Sequence, residues 1–226
     1  DKDGVWVMEM FYIPILLKYN AYDSICHEHI TYLTYKHIET LCKKNNLRIF
    51  NATLNSMNCG SIRYFICHKN AKFKSNHTSI NECKKHEKNL GKNKIYLDFK
   101  KRIQKISKKL NLLIKKINNR KETIHIYGAS TKGNVLIQYS KINKKYIPYA
   151  AERNPLKWSK KMPGSEIPII SEKTSRSMKP NYFLVLPWHF KDNFITRERQ
   201  FLLNGGKLIF PLPKIEIFSK KNLKTK

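Results

Sequence analysis

Residues 22–29 read Tyr-Asp-Ser-Ile-Cys-His-Glu-His, so His27 and His29 flank Glu28, and Tyr22 lies five residues before the first imidazole. Histidine takes and gives protons near neutral pH, and a neighbouring carboxylate can orient or tune it. The cluster therefore suits proton abstraction. It does not suit a zincin, whose His-Glu-x-x-His sets its histidines four apart on one helical face. Two residues apart means one side of an extended segment, or nearly opposite sides of a helix. From the residues alone, an acid–base site and a pair of surface histidines ahead of a helix are equally good accounts.

The elements around the cluster have strand and helix signatures. Residues 5–10 (Val-Trp-Val-Met-Glu-Met) are apolar and β-rich and predict a buried strand. Residues 13–19 predict a short helix or an irregular lead into the cluster. Leu33, Ile38, Leu41 and Cys42 give a helical stripe over residues 31–45, ended by polar Lys43-Lys44-Asn45-Asn46. Two strands follow, 47–54 and 62–68, joined at the turn Asn58-Cys59-Gly60-Ser61 and expected to pair as an antiparallel hairpin. Residues 69–93 are polar and read as a loop or frayed helix. Asp98 is placed to cap a helix with apolar residues at 99, 103, 106, 110, 113, 114 and 117. Its lysine row reads as a solvated outer face, with an anionic surface as the alternative.

A second constellation begins at Thr123-Ile124-His125-Ile126-Tyr127-Gly128-Ala129-Ser130-Thr131-Lys132-Gly133-Asn134. A β-rich run enters a turn with two glycines and opens a helix. Glycine lets backbone approach a ligand, and helix-start amides beside a lysine favour an anion. The turn is neither a Walker A loop nor G-x-G-x-x-G. Strands are then expected at 146–151, ending at Glu152-Arg153-Asn154, and at 182–186, ending at Pro187-Trp188-His189. A helix over 195–203 and a last strand near 207–211 complete an alternation that implies a small parallel sheet with helices on both faces. Ligands bind such sheets at the carboxyl ends of the strands.

The chain has 226 residues, enough for one large or two small domains, and 45 Lys+Arg against 16 Asp+Glu. A net charge of +29 ordinarily points to nucleic acid. Here the excess is dispersed lysine, with no aromatic-basic alternation or base-reading motif, which disfavours that partner. A basic surface still attracts a diphosphate. The cysteines at 26, 42, 59, 67 and 83 are odd in number and include no C-x-x-C. They read as reduced thiols of a cytoplasmic protein. The apolar run 5–17 is interrupted by Glu9 and Pro14, too short for a membrane span. No basic-then-apolar leader is visible, and Asp1-Lys2-Asp3-Gly4 reads as a turn in mid-domain, so a fragment of a longer protein is expected.

The runs Gly4-Val5-Trp6-Val7-Met8-Glu9-Met10-Phe11-Tyr12 and Tyr22-Asp23-x-Ile25-x-His27-Glu28-His29, with Tyr32, resemble the sugar-nucleotide C-methyltransferases. So do Tyr127–Asn134, Glu152-Arg153-Asn154-Pro155-Leu156-Lys157, residues 163–169 and Leu186-Pro187-Trp188, in the expected order over about nine tenths of the chain. Departures are Glu152 where the family has Asp, Cys26 where some members have Tyr, and Asn58-Cys59 where it usually has His-Gly.

The resemblance implies an α/β fold. Residues 1–92 would be the C-terminal half of a class I methyltransferase Rossmann-like sheet. Residues 93–218 would be a second small Rossmann-like α/β domain, and 219–226 a basic tail. The implied activity is S-adenosylmethionine-dependent methylation of a nucleotide-diphosphate 4-keto-sugar beside its ketone, through an enolate. His29 would be the base, Glu28 would contact or orient, and His27 and Tyr22 would stand beside them. Gly128, Ser130, Lys132, Gly133, Asn134, Arg153, Asn154, Lys157 and Trp188 would hold the substrate. The donor turn and the family's N-terminal zinc segment find no counterpart here. A non-catalytic sugar-nucleotide-binding module and a basic nucleic-acid binder are the alternatives.

Overall fold

The structure, a computed structural model, describes residues 1–55 and 60–223. The chain forms two compact units, Asp1–Ala21 with Glu28–Phe99, and Tyr22–His27 with Lys100 to the C-terminus.

In the first unit, β1 (Val5–Phe11), β2 (Leu47–Asn55) and β3 (Ser61–His68) form a sheet ordered β1-β3-β2. Strand β3 runs antiparallel to both neighbours, so β1 and β2 point the same way. The expected hairpin is β2–β3, with a bulge between Ile49 and Asn51. Asn58 and Cys59 of the anticipated turn lie outside the described residues. Helices α1 (Ile13–Tyr19), α2 (Tyr35–Lys44) and α3 (His77–Glu87) complete the unit. Ile38, Cys42, Ile49, Ile62, Tyr64, Ile66, Ile80 and Cys83 share one core.

Two expectations change in this unit. The strand over residues 5–10 was expected to be buried, yet no residue of β1 is, and Val5, Trp6 and Val7 are 42%, 54% and 52% exposed; β1 is an edge strand with a hydrogen-bonded neighbour on one side. The 69–93 segment is not a loop throughout. Asn76 caps α3 through Ser79 N–H, and Ile80 and Cys83, one turn apart, bury. Glu87, at the end of α3, then accepts the Tyr12 hydroxyl at 2.8 Å and the Tyr35 and Lys36 amides. It thereby satisfies the exposed donors at the start of α2, where a negative charge is favoured.

Helix α4 (Asn93–Asn119) begins one turn before the anticipated cap, which leaves Asp98 inside it. Ile95, four residues before Phe99, extends the apolar stripe backwards. Phe99, Ile103, Leu110, Ile114 and Ile117 are buried, and Lys100, Lys101, Lys105, Lys108, Lys109, Lys115 and Lys116 are exposed, which is the solvated lysine face expected.

The second unit is built on β4 (Ile124–Tyr127), β5 (Ala150–Glu152), β6 (Ile169–Ser171), β7 (Tyr182–Val185), β8 (Lys207–Phe210) and β9 (Glu216–Phe218). The order is β6-β5-β4-β7-β8-β9, parallel except for β9. From β4 the chain proceeds to β5 on one side, and from β7 to β8 on the other. The order therefore reverses between β4 and β7, as in doubly wound nucleotide-binding sheets.

Every residue of β4 and β7 is buried, as expected of central parallel strands. Strand β5 is shorter than the predicted 146–151, because Pro148 has no N–H for a ladder. The helix anticipated over 195–203 is two, α7 (Lys191–Arg197) and α8 (Arg199–Leu203), which follow α5 (Thr131–Tyr139) and α6 (Glu172–Ser177). The antiparallel edge β9 was not anticipated.

Candidate functional site

The two halves of the His-Glu-His stretch fall in different units, His27 with the second and Glu28-His29 with the first. In the first unit, Glu28 and His29 line a pocket of about 330 Å³ with Met10, Phe11, Ile30, Thr31 and Leu33. Met10 and Phe11 end β1, so the pocket opens at the carboxyl end of that strand. The His29 ring is tilted 6.0 Å from the Phe11 ring. His29 is half-buried and Glu28 exposed. An imidazole held against an aromatic wall, with a carboxylate beside it, can take a proton from a carbon acid seated there.

In the second unit, His27 and Cys26 line another pocket, of about 460 Å³, with Thr131, Asn134, Val135, Gln138 and Tyr139 of α5. Tyr22 is not in either pocket. It is 2% exposed, with its ring 5.2 Å from that of Tyr139, and burial raises its phenol above the ordinary range.

The turn after β4 is already engaged within the fold. Ala129 N–H donates to Glu152 Oε2 at 2.8 Å, and the other oxygen of Glu152 accepts the Arg153 and Asn154 amides at 2.9 Å each. Ser130 caps α5 by accepting Gly133 N–H at 3.0 Å. Lys157 donates to Ala129 O at 2.9 Å. Gly128 has φ +86°, and a Cβ there would stand 2.8 Å from Pro187 Cγ; one on Gly133 would stand 2.6 Å from Leu186 Cδ1. Both glycines are needed for close packing of the turn and α5 against the segment after β7. Trp188 is buried and donates its indole N–H to Asp23 Oδ2 at 2.8 Å. Of the residues anticipated for substrate, Arg153 and Asn154 are exposed and Lys132 is half-buried.

Sequence reasoning quoted Asp23 but gave it no role. Its side chain is fully buried (0% exposed), and Oδ1 has no hydrogen-bond partner among the described residues. Burial pushes its carboxyl up to about 6, against the opposing effects of the Trp188 bond and the Lys132 charge. His189 is pushed down to about 4, by burial and then by Lys132, and its Nδ1 likewise has no partner. The signal that could have found Asp23 is the acid itself, set between Tyr22 and Ser24 in a stretch otherwise buried.

The turn after β4 does not fit S-adenosylmethionine: its Ala129 and Gly133 amides are engaged, Gly128 and Gly133 have no room above them, and the Asp23 carboxylate reaches the loop after β7. Among the described residues, no three His, Cys, Asp or Glu side chains are grouped as metal ligands would be, and no helix is long and apolar enough to cross a membrane.

Residues 56–213 match the family model described as the C-methyltransferase C-terminal domain. The chain belongs to this methyltransferase family, as its motifs implied. The C-methyltransferase NovU of Streptomyces niveus is 29% identical over 222 residues, covering 97% of this chain and 53% of its own length. The chain thus spans about half the length of the curated relative it matches.

Proposed function

We propose that the protein takes part in C-methylation of a nucleoside-diphosphate 4-keto-sugar, and that its described residues generate the carbon nucleophile. Residues 1–92 would be the C-terminal part of the catalytic domain, with the outer edge of β1 receiving the rest of its sheet. Residues 93–218 would belong to the family's C-terminal domain, whose model also takes in 56–92. The observation that carries the reading is the pocket at the end of β1, lined by Glu28 and His29 together. His29 removes the proton from the carbon beside the ketone. The C–H electron pair becomes the enolate, and the proton rests on the imidazole. Glu28 orients the ring or the sugar hydroxyls, while Phe11 and Met10 keep water from one side. The methyl donor would be S-adenosylmethionine, as in the family. Arg153 and Asn154, exposed at the end of β5, are the contacts we assign to the diphosphate, with Thr131, Asn134 and His27 at the neighbouring pocket.

The test needs no methyl donor. Incubating the protein in deuterium oxide with the 4-keto-sugar nucleotide should exchange the proton beside the ketone. His29→Ala should slow that exchange by roughly 10²–10⁴ while sugar-nucleotide binding is kept. Exchange at the wild-type rate would assign the base elsewhere.

A further inference from the structure

The single helical turn Tyr22–Ser24 belongs to the second unit. Tyr22 packs on Tyr139 of α5, and Asp23 bonds to Trp188, which follows β7. Helix α5 follows β4. The turn therefore sits where the loops after β4 and β7 meet, at the point where the strand order reverses. In sheets of this order that crevice takes the phosphates of a nucleotide.

We propose that Asp23 is a positioning residue: as an internal anion in that crevice, it seats the Tyr22–His27 segment where a diphosphate would otherwise lie. The proposal rests on the acid–base reading only in that this segment leads directly into Glu28 and His29.

The chemistry of the crevice supports it. Helix α5 brings Lys132 on its first turn, and the charge of Lys132 acts on Asp23. A cation at a helix start is an anion site, and the anion here is part of the chain. The other neighbours are the Trp188 indole, which donates, and His189, which is neutral near pH 7. From its own turn come Tyr22, a neutral phenol, and the amides of Asp23 and Ser24. One oxygen of Asp23 is satisfied by a side chain and the other is not. A buried carboxylate left half-satisfied is costly, and an apolar residue would fill the same space without that cost. What the acid adds is a directional bond to Trp188 and a charge matched to Lys132. Together these fix where the segment enters and keep free anions out.

The indole N–H resonance of Trp188 reads the seat directly. The chain has three tryptophans, and Trp188→Phe assigns the signal. In Asp23→Ala the Trp188 resonance should move. Inorganic pyrophosphate should then shift it at concentrations at least tenfold below any that affect the wild-type protein, because Lys132 and the crevice have become available. Equal midpoints in the two proteins, no pyrophosphate shift in either, or an unmoved Trp188 resonance in Asp23→Ala would overturn the proposal. Should Asp23→Ala fail to fold, Asp23→Asn keeps an acceptor of the same shape. The Asn variant lacks the charge, so pyrophosphate should shift its Trp188 resonance at concentrations at least tenfold below any that affect the wild-type protein. A midpoint equal to that of the wild type would overturn the proposal equally. None of these signals depends on proton transfer by His29, so the two readings fail independently.

Discussion

Two buried carboxylates of the second unit are handled in opposite ways. Glu198 is 1% exposed and both its oxygens are bonded. Oε1 accepts the Tyr127 hydroxyl at 2.8 Å and Arg176 Nη2 at 2.7 Å, and Oε2 accepts Arg176 Nη1. Arg176 Nη2 also donates to the Tyr127 oxygen at 2.9 Å, which closes the triangle. Asp23 is as deeply buried, but its one side-chain donor is the Trp188 indole, beside the amides of its own turn and a lysine acting by charge. The first arrangement is what burial of a charge requires if it is to be stable. The second tolerates an unsatisfied oxygen, and such exceptions gather where a group has a task besides holding the fold together.

The contrast predicts effects of opposite sign. Arg176→Ala should be the most damaging, because it strands a buried carboxylate; urea unfolding followed at Trp188 should show a loss of about 3–5 kcal/mol. A loss below about 1 kcal/mol would mean that Glu198 is protonated or reaches water, and the contrast would collapse. Asp23→Asn should instead stabilise at pH 7.5. The Asp23 carboxyl is raised from 3.8 to about 6 by folding. The folded state thus binds the proton more tightly, and its contribution is full below pH 3.8 and lost as pH rises through 6. At 1.36 kcal/mol per unit the loss is roughly 2–3 kcal/mol, which the amide avoids. A less stable Asn variant at that pH would place Asp23 with Glu198 among the purely structural charges.

The buried His125 gives an effect of similar size and the reverse pH slope. Its Nδ1 lies 2.8 Å from Ser175 Oγ, and burial lowers its pKa from 6.5 to about 4. Its contribution is therefore present above pH 6.5 and lost as pH falls through 4. Stability curves of His125→Gln should be flatter than wild type between pH 6.5 and 4, by roughly 3 kcal/mol. An unchanged acid limb would mean that His125 is not what makes the unit acid-sensitive.

Legibility in the sequence followed the range of the interactions. Strands β4 and β7 were visible as short apolar runs because all their residues are buried, and the parallel sheet followed from their alternation with helices. The α4 stripe was visible because it repeats within a turn. Helix α3 was read only as a loop or frayed helix because its anchors, Ile80 and Cys83, are few and its partner Tyr12 is far away in sequence. At the site, Glu28 and His29 were conspicuous as adjacent chemical groups, and both line one pocket. The turn at Gly128 was conspicuous for its composition. Its Ala129 amide, however, answers to Glu152 and its glycines to Leu186 and Pro187, contacts that no local spacing reveals. The same holds for Asp23, whose partner lies 165 residues on.

That separation has a consequence for the order in which the molecule is made. The Tyr22–His27 segment leaves the ribosome before any strand of the sheet that receives it. At roughly 5–20 residues per second, it waits on the order of ten seconds or more for Trp188 to be synthesised. Closing so long a loop is entropically costly until its receptor exists. The stretch that introduces the His-Glu-His residues is accordingly among the last to settle, because its seat exists only after β4, α5 and β7 have assembled.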